Sequence, residues 1–246
     1  MNNFNLLGLG VLLVLLVLYF IYAFVGRRYP AVFRSVKGYE ELGKAVEEAV
    51  EAGQRVHVSL GTGSVIGSDS APALAGMVIL SRIAAATSTS DKPVSVTTGD
   101  GAMALLAQDV LRTAYSKAAA ADRFRTVSAR MLGPTPYSYA AGLPILLSSE
   151  DVSVHVLAGS FGAEGALAAD FGQRHGAYVL AGTDDVQSQA LLYATADETL
   201  IGEELFAGGA YLNMGPLHRA SLRVQDTARV LIVIIILVGI LLGWGS

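Results

Sequence analysis

Arg55-Val56-His57-Val58-Ser59-Leu60 runs directly into Gly61-Thr62-Gly63-Ser64. Six residues of alternating character, rich in valine and stopped by glycine, read as a buried strand entering a turn. An alanine-rich helical stretch follows, from 71 to 86. The same sequence of strand, turn and helix then recurs. Strands are predicted at 93–98, 126–132, 152–158 and 177–181, followed by helices at 102–121, 137–147, 163–174 and 184–196. Short valine-rich runs alternating with helices describe a parallel sheet covered on both faces. The right-handed crossover rule makes the predicted fold α/β, a doubly wound, mostly parallel Rossmann-like sheet of about five strands. Val56, Val58, Val96, Val154, Val156 and Val179 are its expected core.

The opening strand has an echo. Val154-His155-Val156-Leu157-Ala158-Gly159-Ser160-Phe161 repeats the pattern of Val56-His57-Val58-Ser59-Leu60-Gly61-Thr62-Gly63. Two related βαβ halves would produce it. Before the first strand, Tyr39, Leu42, Val46, Ala49 and Val50 share one helical face, acidic residues fill the other, and Gly53 marks the stop.

The ends of the chain differ from this middle. Leu6–Val25 is a nearly unbroken apolar run and Val230–Trp244 a second, shorter one. About 20 apolar residues at roughly 1.5 Å each cross a hydrocarbon layer of about 30 Å. The first run lacks a basic leader and a small-x-small cleavage site, so it reads as an anchor and not as a removed signal peptide. The expected organisation is a first transmembrane helix over 5–26 and a basic juxtamembrane linker over 27–38. An α/β domain over 39–215, a juxtamembrane helix over 216–228 and a second transmembrane helix over 229–245 follow. Pro216 suits a helix start, and no Gly or Pro interrupts the chain until Gly239. Gly239 and Gly243 form a G-x-x-x-G pair, and Gly8 and Gly10 lie in the first run, so all four are candidates for close helix packing within or between chains.

Charge orients the chain. Gly38–His218 carries ten Lys and Arg against twenty Asp and Glu. The remaining seven basic residues, Arg27, Arg28, Arg34, Lys37, Arg219, Arg223 and Arg229, sit on the domain side of the apolar runs. By the positive-inside rule the domain is expected in the cytoplasm, with two spans in the cell (inner) membrane and both termini outside. Arg27, Arg28, Arg219, Arg223 and Arg229 are then candidates for lipid head-group contact, which makes the bilayer the first expected partner. An acidic domain argues against nucleic acid, whose phosphates need clustered Lys and Arg. Cysteine is absent, which removes disulfides, thiolate metal sites and cysteine nucleophiles.

Candidate chemistry gathers where strands end. Gly61, Thr62, Gly63 and Ser64 follow the first strand, Gly99 and Asp100 the second, Gly159 and Ser160 the fourth, and Gly182, Thr183 and Asp184 the fifth. In an open parallel sheet these turns share one edge, where ligands bind, and free N–H groups of the following helices favour small anions. No phosphate-loop G-K-[S/T] occurs, and Gly61-x-Gly63-x-x-x-Gly67 misses the dinucleotide pattern by one residue, so no cofactor is assigned. His57 and His155, flanked by valines, point to the opposite strand face and read as buried core histidines. His175 lies at a helix end and His218 in the juxtamembrane helix. No metal site and no serine-hydrolase elbow is legible.

Four segments resemble an uncharacterised family of bacterial membrane-anchored proteins with a central α/β domain. They are Val56–Gly63, Ala158-Gly159-Ser160-Phe161-Gly162, Ala190-Leu191-Leu192-Tyr193-Ala194-Thr195-Ala196-Asp197 and Ile201-Gly202-Glu203-Glu204-Leu205-Phe206-Ala207. The resemblance implies the anchored single domain and no activity. The first expectation is therefore a membrane-anchored scaffold that assembles as a homo-oligomer through its α/β domain, without catalysis. The alternatives are a tethered sensor of a nucleotide or other small anionic ligand at the glycine edge, and an enzyme acting on such a ligand.

Overall fold

A computed structural model of the chain describes residues 3–26 and 33–243. It forms two compact units: Ser35–Leu212, and the two terminal segments Met1–Arg34 and Asn213–Ser246 together. The basic residues Arg27 and Arg28, and Trp244, lie outside the described residues.

The larger unit opens with α1 (Lys37–Glu51), whose stop is Gly53 at φ +66°. Strand and helix then alternate: β1 (Arg55–Gly61), α2 (Ser70–Thr87), β2 (Ser95–Thr98), α3 (Gly101–Lys117), β3 (Ala129–Met131) and α4 (Pro136–Glu150). The second half is β4 (Val152–Ser160), α5 (Glu164–Arg174), β5 (Tyr178–Gly182), α6 (Val186–Thr195) and β6 (Glu198–Leu200). All strand pairs are parallel, in the order β3-β2-β1-β4-β5-β6. The fold is therefore α/β and doubly wound, with six strands and not five. The sixth is hidden in the sequence because Glu198-Thr199-Leu200 is short and carries no valine run; its pairing with Leu180–Gly182 makes it a strand. The third strand is also shorter than predicted, because a 3-10 turn at Thr126–Ser128 occupies its expected start.

The echoed segments are neighbours. Val56 pairs with Val154, His57 with His155 and Val58 with Val156, so the repeat forms the central pair of the sheet. On one face Val56, Val58, Val154, Val156 and Leu180 pack with residues of α1, α2 and α3, among them Leu42, Leu80 and Met103. On the other, Leu157 and Val179 pack with Tyr139 and Leu143 of α4, Ala168 and Ala169 of α5 and Leu192 of α6. All six valines expected in the core are buried.

In the terminal unit, α7 (Asn3–Val25) and α8 (Pro216–Gly243) run antiparallel. (The four-residue helical turn at Gly208–Tyr211 is left unnumbered.) Tyr22 Oη donates to Thr227 Oγ1 at 2.9 Å, and Thr227 donates in turn to the Arg223 carbonyl at 2.8 Å. The Arg223 guanidinium lies 6.0 Å from the Tyr22 ring centre. Arg219 bonds Asn213, and Arg229 pairs with Asp226 at 3.4 Å. An apolar hollow of about 900 Å³ separates part of the two helices, with Gly10, Val14 and Leu18 on one side and Ala228, Ile232 and Ile235 on the other. A Cβ added at Gly8, Gly10, Gly239 or Gly243 would meet no atom within 4 Å, so none of them draws these two helices together.

Among the described residues, three helices are long and apolar enough to cross a membrane: α7, α8 and α2. The apolarity of α2 has a second explanation. Half of its residues are buried, against 6% in the apolar stretch of α7 and none in that of α8, because it packs on β1 and β4.

Candidate functional site

Strand order reverses between β1 and β4, whose connections leave in opposite directions across the sheet. A crevice must open there, beyond the carboxyl ends of both strands. An open pocket of about 810 Å³ occupies that position. Thr62 enters it from β1, and Ser160, Phe161 and Gly162 enter from β4. Asp69, at the start of α2, and Pro136, at the start of α4, form further walls. Glu164 of α5 and Asp184, Asp185, Val186 and Gln187 at the start of α6 complete the lining.

Glycine lets the two central strands meet at the floor. A Cβ on Gly61, which has φ +72°, would lie 2.0 Å from the Ser160 carbonyl oxygen, and one on Gly159 would lie 2.1 Å from that of Leu60. Any larger residue would force β1 and β4 apart where the crevice begins.

The predicted site residues divide into two groups. Thr62, Ser160 and Asp184 line the crevice, with Gly61 and Gly159 beneath them. Gly63 packs against Ser160 and Ala73. Ser64 is half-buried in the following loop and does not line the pocket. Gly99 donates its N–H to the Gly61 carbonyl at 2.8 Å, and Asp100 caps α3 by accepting from Met103 N at 2.8 Å. Gly182 packs against Leu200 and Leu205. Thr183 is buried and bonds both the N–H and the carbonyl of Phe161 at 3.1 Å. Those four hold the edge together and do not face the crevice.

Three helix starts are capped by the protein's own side-chain oxygens, whereas those of α2 and α5 carry no side-chain cap. Asp100 caps α3, Thr135 caps α4, and Asp185 caps α6 by accepting from Ser188 N at 2.8 Å. At α5, Glu164 Oε1 accepts from Gly162 N at 2.8 Å. The lining contains four carboxylates, Asp69, Glu164, Asp184 and Asp185, and no Lys, Arg or His. Sequence reading missed Glu164, whose burial depends on how α5 meets the Phe161–Gly162 turn; only its place in a first helical turn was legible.

His57 and His155 are buried in the core as their strand positions imply, and they meet there, a contact the sequence did not show. The His57 and His155 rings stack with centres 4.9 Å apart, and their Nδ1 atoms are 2.8 Å apart. His57 Nε2 lies 3.0 Å from Thr97 Oγ1, Thr97 Oγ1 2.7 Å from Tyr139 Oη, and Tyr139 Oη 2.5 Å from Ser59 Oγ. All five side chains are buried. Donor accounting fixes the direction of this hydrogen-bonded chain. His155 Nε2 is buried without a partner. An unfilled lone pair there costs less than an orphaned N–H. His155 Nδ1–H therefore donates to His57 Nδ1, His57 Nε2–H to Thr97, Thr97 to Tyr139 and Tyr139 to Ser59. Burial holds the His155 imidazole at about 3, far below its usual value. It lowers His57 too, with the neighbouring His155 and Arg130 acting in the same direction. Burial likewise raises the Tyr139 phenol to about 12. The chain is neutral, and it is a structural spine.

A second pairing lies at the opposite sheet edge. Ser148 Oγ is 2.5 Å from His175 Nε2, and His175 Nδ1–H donates to the Phe171 carbonyl at 2.7 Å. The pairing resembles a nucleophile and an oriented base, but Ser148 Oγ also donates to the Pro144 carbonyl at 2.8 Å, which competes for its single hydrogen. Both residues are exposed and sit at the carboxyl ends of α4 and α5, where helix dipoles oppose a developing oxyanion.

The fold and crevice define the class: a doubly wound α/β protein with a switch-point pocket and apolar helices at both ends. Within that class, the chain belongs to the family of the Domain of unknown function (DUF6754), whose model matches residues 1–244. Neither the curated proteins nor the solved structures gave a match to the chain.

Proposed function

We propose that this chain is a membrane-anchored binding protein, a sensor whose α/β unit holds a small ligand in the crevice between β1 and β4. The observation that carries the reading is the coincidence of the strand-order reversal with a polar pocket of about 810 Å³. Its volume lies in the range of roughly 300–1,000 Å³ typical of small-molecule sites. A thermal-shift panel of nucleotides, sugars and amines tests it. A ligand at about 100 times its Kd stabilises by about 2.7 kcal/mol, a rise in Tm of roughly 5–10 °C for a domain of this size. Gln187→Trp, which places a large ring on the exposed rim, should abolish that shift without lowering Tm. No response to any member of the panel would overturn the reading.

The anchoring half of the proposal has its own test. The lengths and apolarity of α7 and α8 support two spans, and the basic residues on their inner flanks support a cytoplasmic α/β unit. The chain has no cysteine, so single cysteines report cleanly. Asn3→Cys and Ser246→Cys should react with an impermeant thiol reagent in intact cells, and Glu48→Cys should not. Labelling at Glu48→Cys would reverse the orientation.

A second reading, the scaffold, is favoured by the open flanks of Gly8, Gly239 and Gly243, where a helix of another copy can approach closely. It expects a homo-oligomer in mild detergent by native mass measurement, weakened by Gly239→Leu with Gly243→Leu. A wild-type monomer across protein concentrations would remove it.

A further inference from the structure

We infer that the α/β units of two copies of this chain dock head to tail, the acidic flank of α1 on one copy against the basic edge formed by α3 and β3 on the other. The inference deepens the scaffold reading above and rests on it; it does not depend on the crevice. Charge in the α/β unit is sorted by position. Five of the ten Lys and Arg in Gly38–His218 fall between Arg112 and Arg130, with Asp122 the lone carboxylate among them. They occupy the end of α3, the turns that follow it, and β3, which is one edge of the sheet. Gln108 bonds the Ala129 carbonyl of β3 at 3.0 Å, so the flank of α3 that carries Gln108 and, one turn on, Arg112 borders that edge. Arg112 lies over the Phe124 ring at 5.3 Å. Arg112, Lys117 and Arg125 are exposed and form no ion pair among the described residues.

The counterpart is α1, which packs across β1, β4, β5 and β6 toward the other edge and carries five glutamates against Lys37 and Lys44. Glu48 and Glu51 stand in its last turn with no basic residue beside them, where the helix dipole disfavours negative charge. Glu47, Glu48 and Glu51 are exposed and form no ion pair among the described residues. A helix end that breaks the local charge rule without a cation of its own is expected where a contact from outside supplies the compensation.

The two patches match in height as well as in sign. Ala129 of β3 and Glu198 of β6 lie in one row that crosses the sheet through Val96, Val58, Val156 and Leu180. Both α1 and α3 end at the amino edge of the sheet, one before β1 and the other before β3. Their last turns, acidic in one and basic in the other, are therefore level. Toward the carboxyl edge each side carries an exposed apolar residue, Met131 at the end of β3 and Ile201 directly after β6. A copy moved sideways along the sheet meets base with acid at one level and apolar with apolar at the next. Such a contact uses a different surface on each copy, so it is heterologous and builds rings or rows. Anionic lipid would satisfy the basic edge and leave the end of α1 uncompensated; a second copy answers both.

Cross-linking of the full-length chain in neutral detergent, at physiological salt, tests this, since the chain has no cysteine of its own. Glu48→Cys and Ser116→Cys each place one exposed thiol in the last turn of their helix. Within one chain α2 packs against both α1 and α3 and holds them about 20 Å apart, beyond a short bismaleimide. The variant with both cysteines should give a ladder of multimers, either cysteine alone only monomer, and an equal mixture of the two single variants dimers. Arg112→Glu with Lys117→Glu should remove the ladder, and adding Glu47→Lys with Glu51→Lys should restore it. Dimers from a single-cysteine variant would mean a symmetric contact and would overturn the inference. So would a ladder that survives the first reversal, is not restored by the second, or forms only after phosphatidylglycerol is added; the last result would give the basic edge to lipid. No ladder from a chain that is oligomeric by native mass measurement would overturn this docking and leave the scaffold reading to the spans, whereas a monomeric wild type would remove both.

Discussion

Val156→Asp is expected to leave no folded α/β unit. Val156 is fully buried in the central strand β4, paired with Val58 on one side and Leu180 on the other. Its side chain faces the core that α2 covers. A lone carboxylate at that point has no partner, and burying one costs several kcal/mol even after relaxation. The lost valine burial adds roughly 1.5–3 kcal/mol. A domain with about 5–15 kcal/mol of stability does not survive that combination. Far-UV circular dichroism and gel filtration of the variant should show loss of native structure. Val156→Ala should stay folded and lose roughly 2 kcal/mol, and Val127→Asp, on an exposed turn, should change stability by no more than about 0.5 kcal/mol. A soluble Val156→Asp protein with the native spectrum would contradict the placement of this strand.

The sensitivity of Val156 is legible in the sequence, because the residue sits in a valine run between turn residues. Local pattern carries that kind of information: period, length and glycine stops identify the elements, and parallel pairing follows from the alternation. Strand order does not follow, since β1 can leave the sheet in either direction. The echo of Val56–Gly63 in Val154–Phe161 is the one sequence feature that bears on it, and it marks the central pair. β6 is invisible in the sequence because its three residues gain strand geometry only from β5.

The site is legible in part for the same reason. Thr62, Ser160 and Asp184 lie at strand ends, and any parallel sheet puts strand ends on one edge. Which of them converge depends on where the order reverses. Gly99 and Asp100 follow β2, one strand away from the reversal, and serve the edge and a helix cap. Glu164 and Asp69 belong to helix starts that only tertiary packing turns toward the crevice. The acidic lining is thus a property of the assembled edge.

The histidine pair gives the second large effect: the α/β unit should lose stability steeply as pH falls from 7 to 5. His57 and His155 are neutral in the folded state because burial opposes their charge. In the unfolded chain each returns to an ordinary value near 6.5. Below that value the unfolded state binds more protons than the folded state, so acid favours unfolding. With His155 held at about 3, the loss continues through pH 5 and levels off only near its folded value. With its folded value at about 3, His155 alone contributes about 2 kcal/mol of destabilisation between pH 7 and 5, and His57 adds to it in the same direction. Protonation of His57 would also break the donation from His155, since both facing Nδ1 atoms would then carry hydrogen, and protonation of His155 would leave a buried Nε2–H without an acceptor. Urea unfolding at pH 7, 6 and 5 measures the slope. His155→Asn keeps a donor near the position of Nδ1 and cannot titrate, so it should reduce the acid-induced loss by about 2 kcal/mol even if the variant starts less stable. Equal stability of the wild type at pH 7 and pH 5 would show that the stacked pair is not buried and neutral in the folded protein.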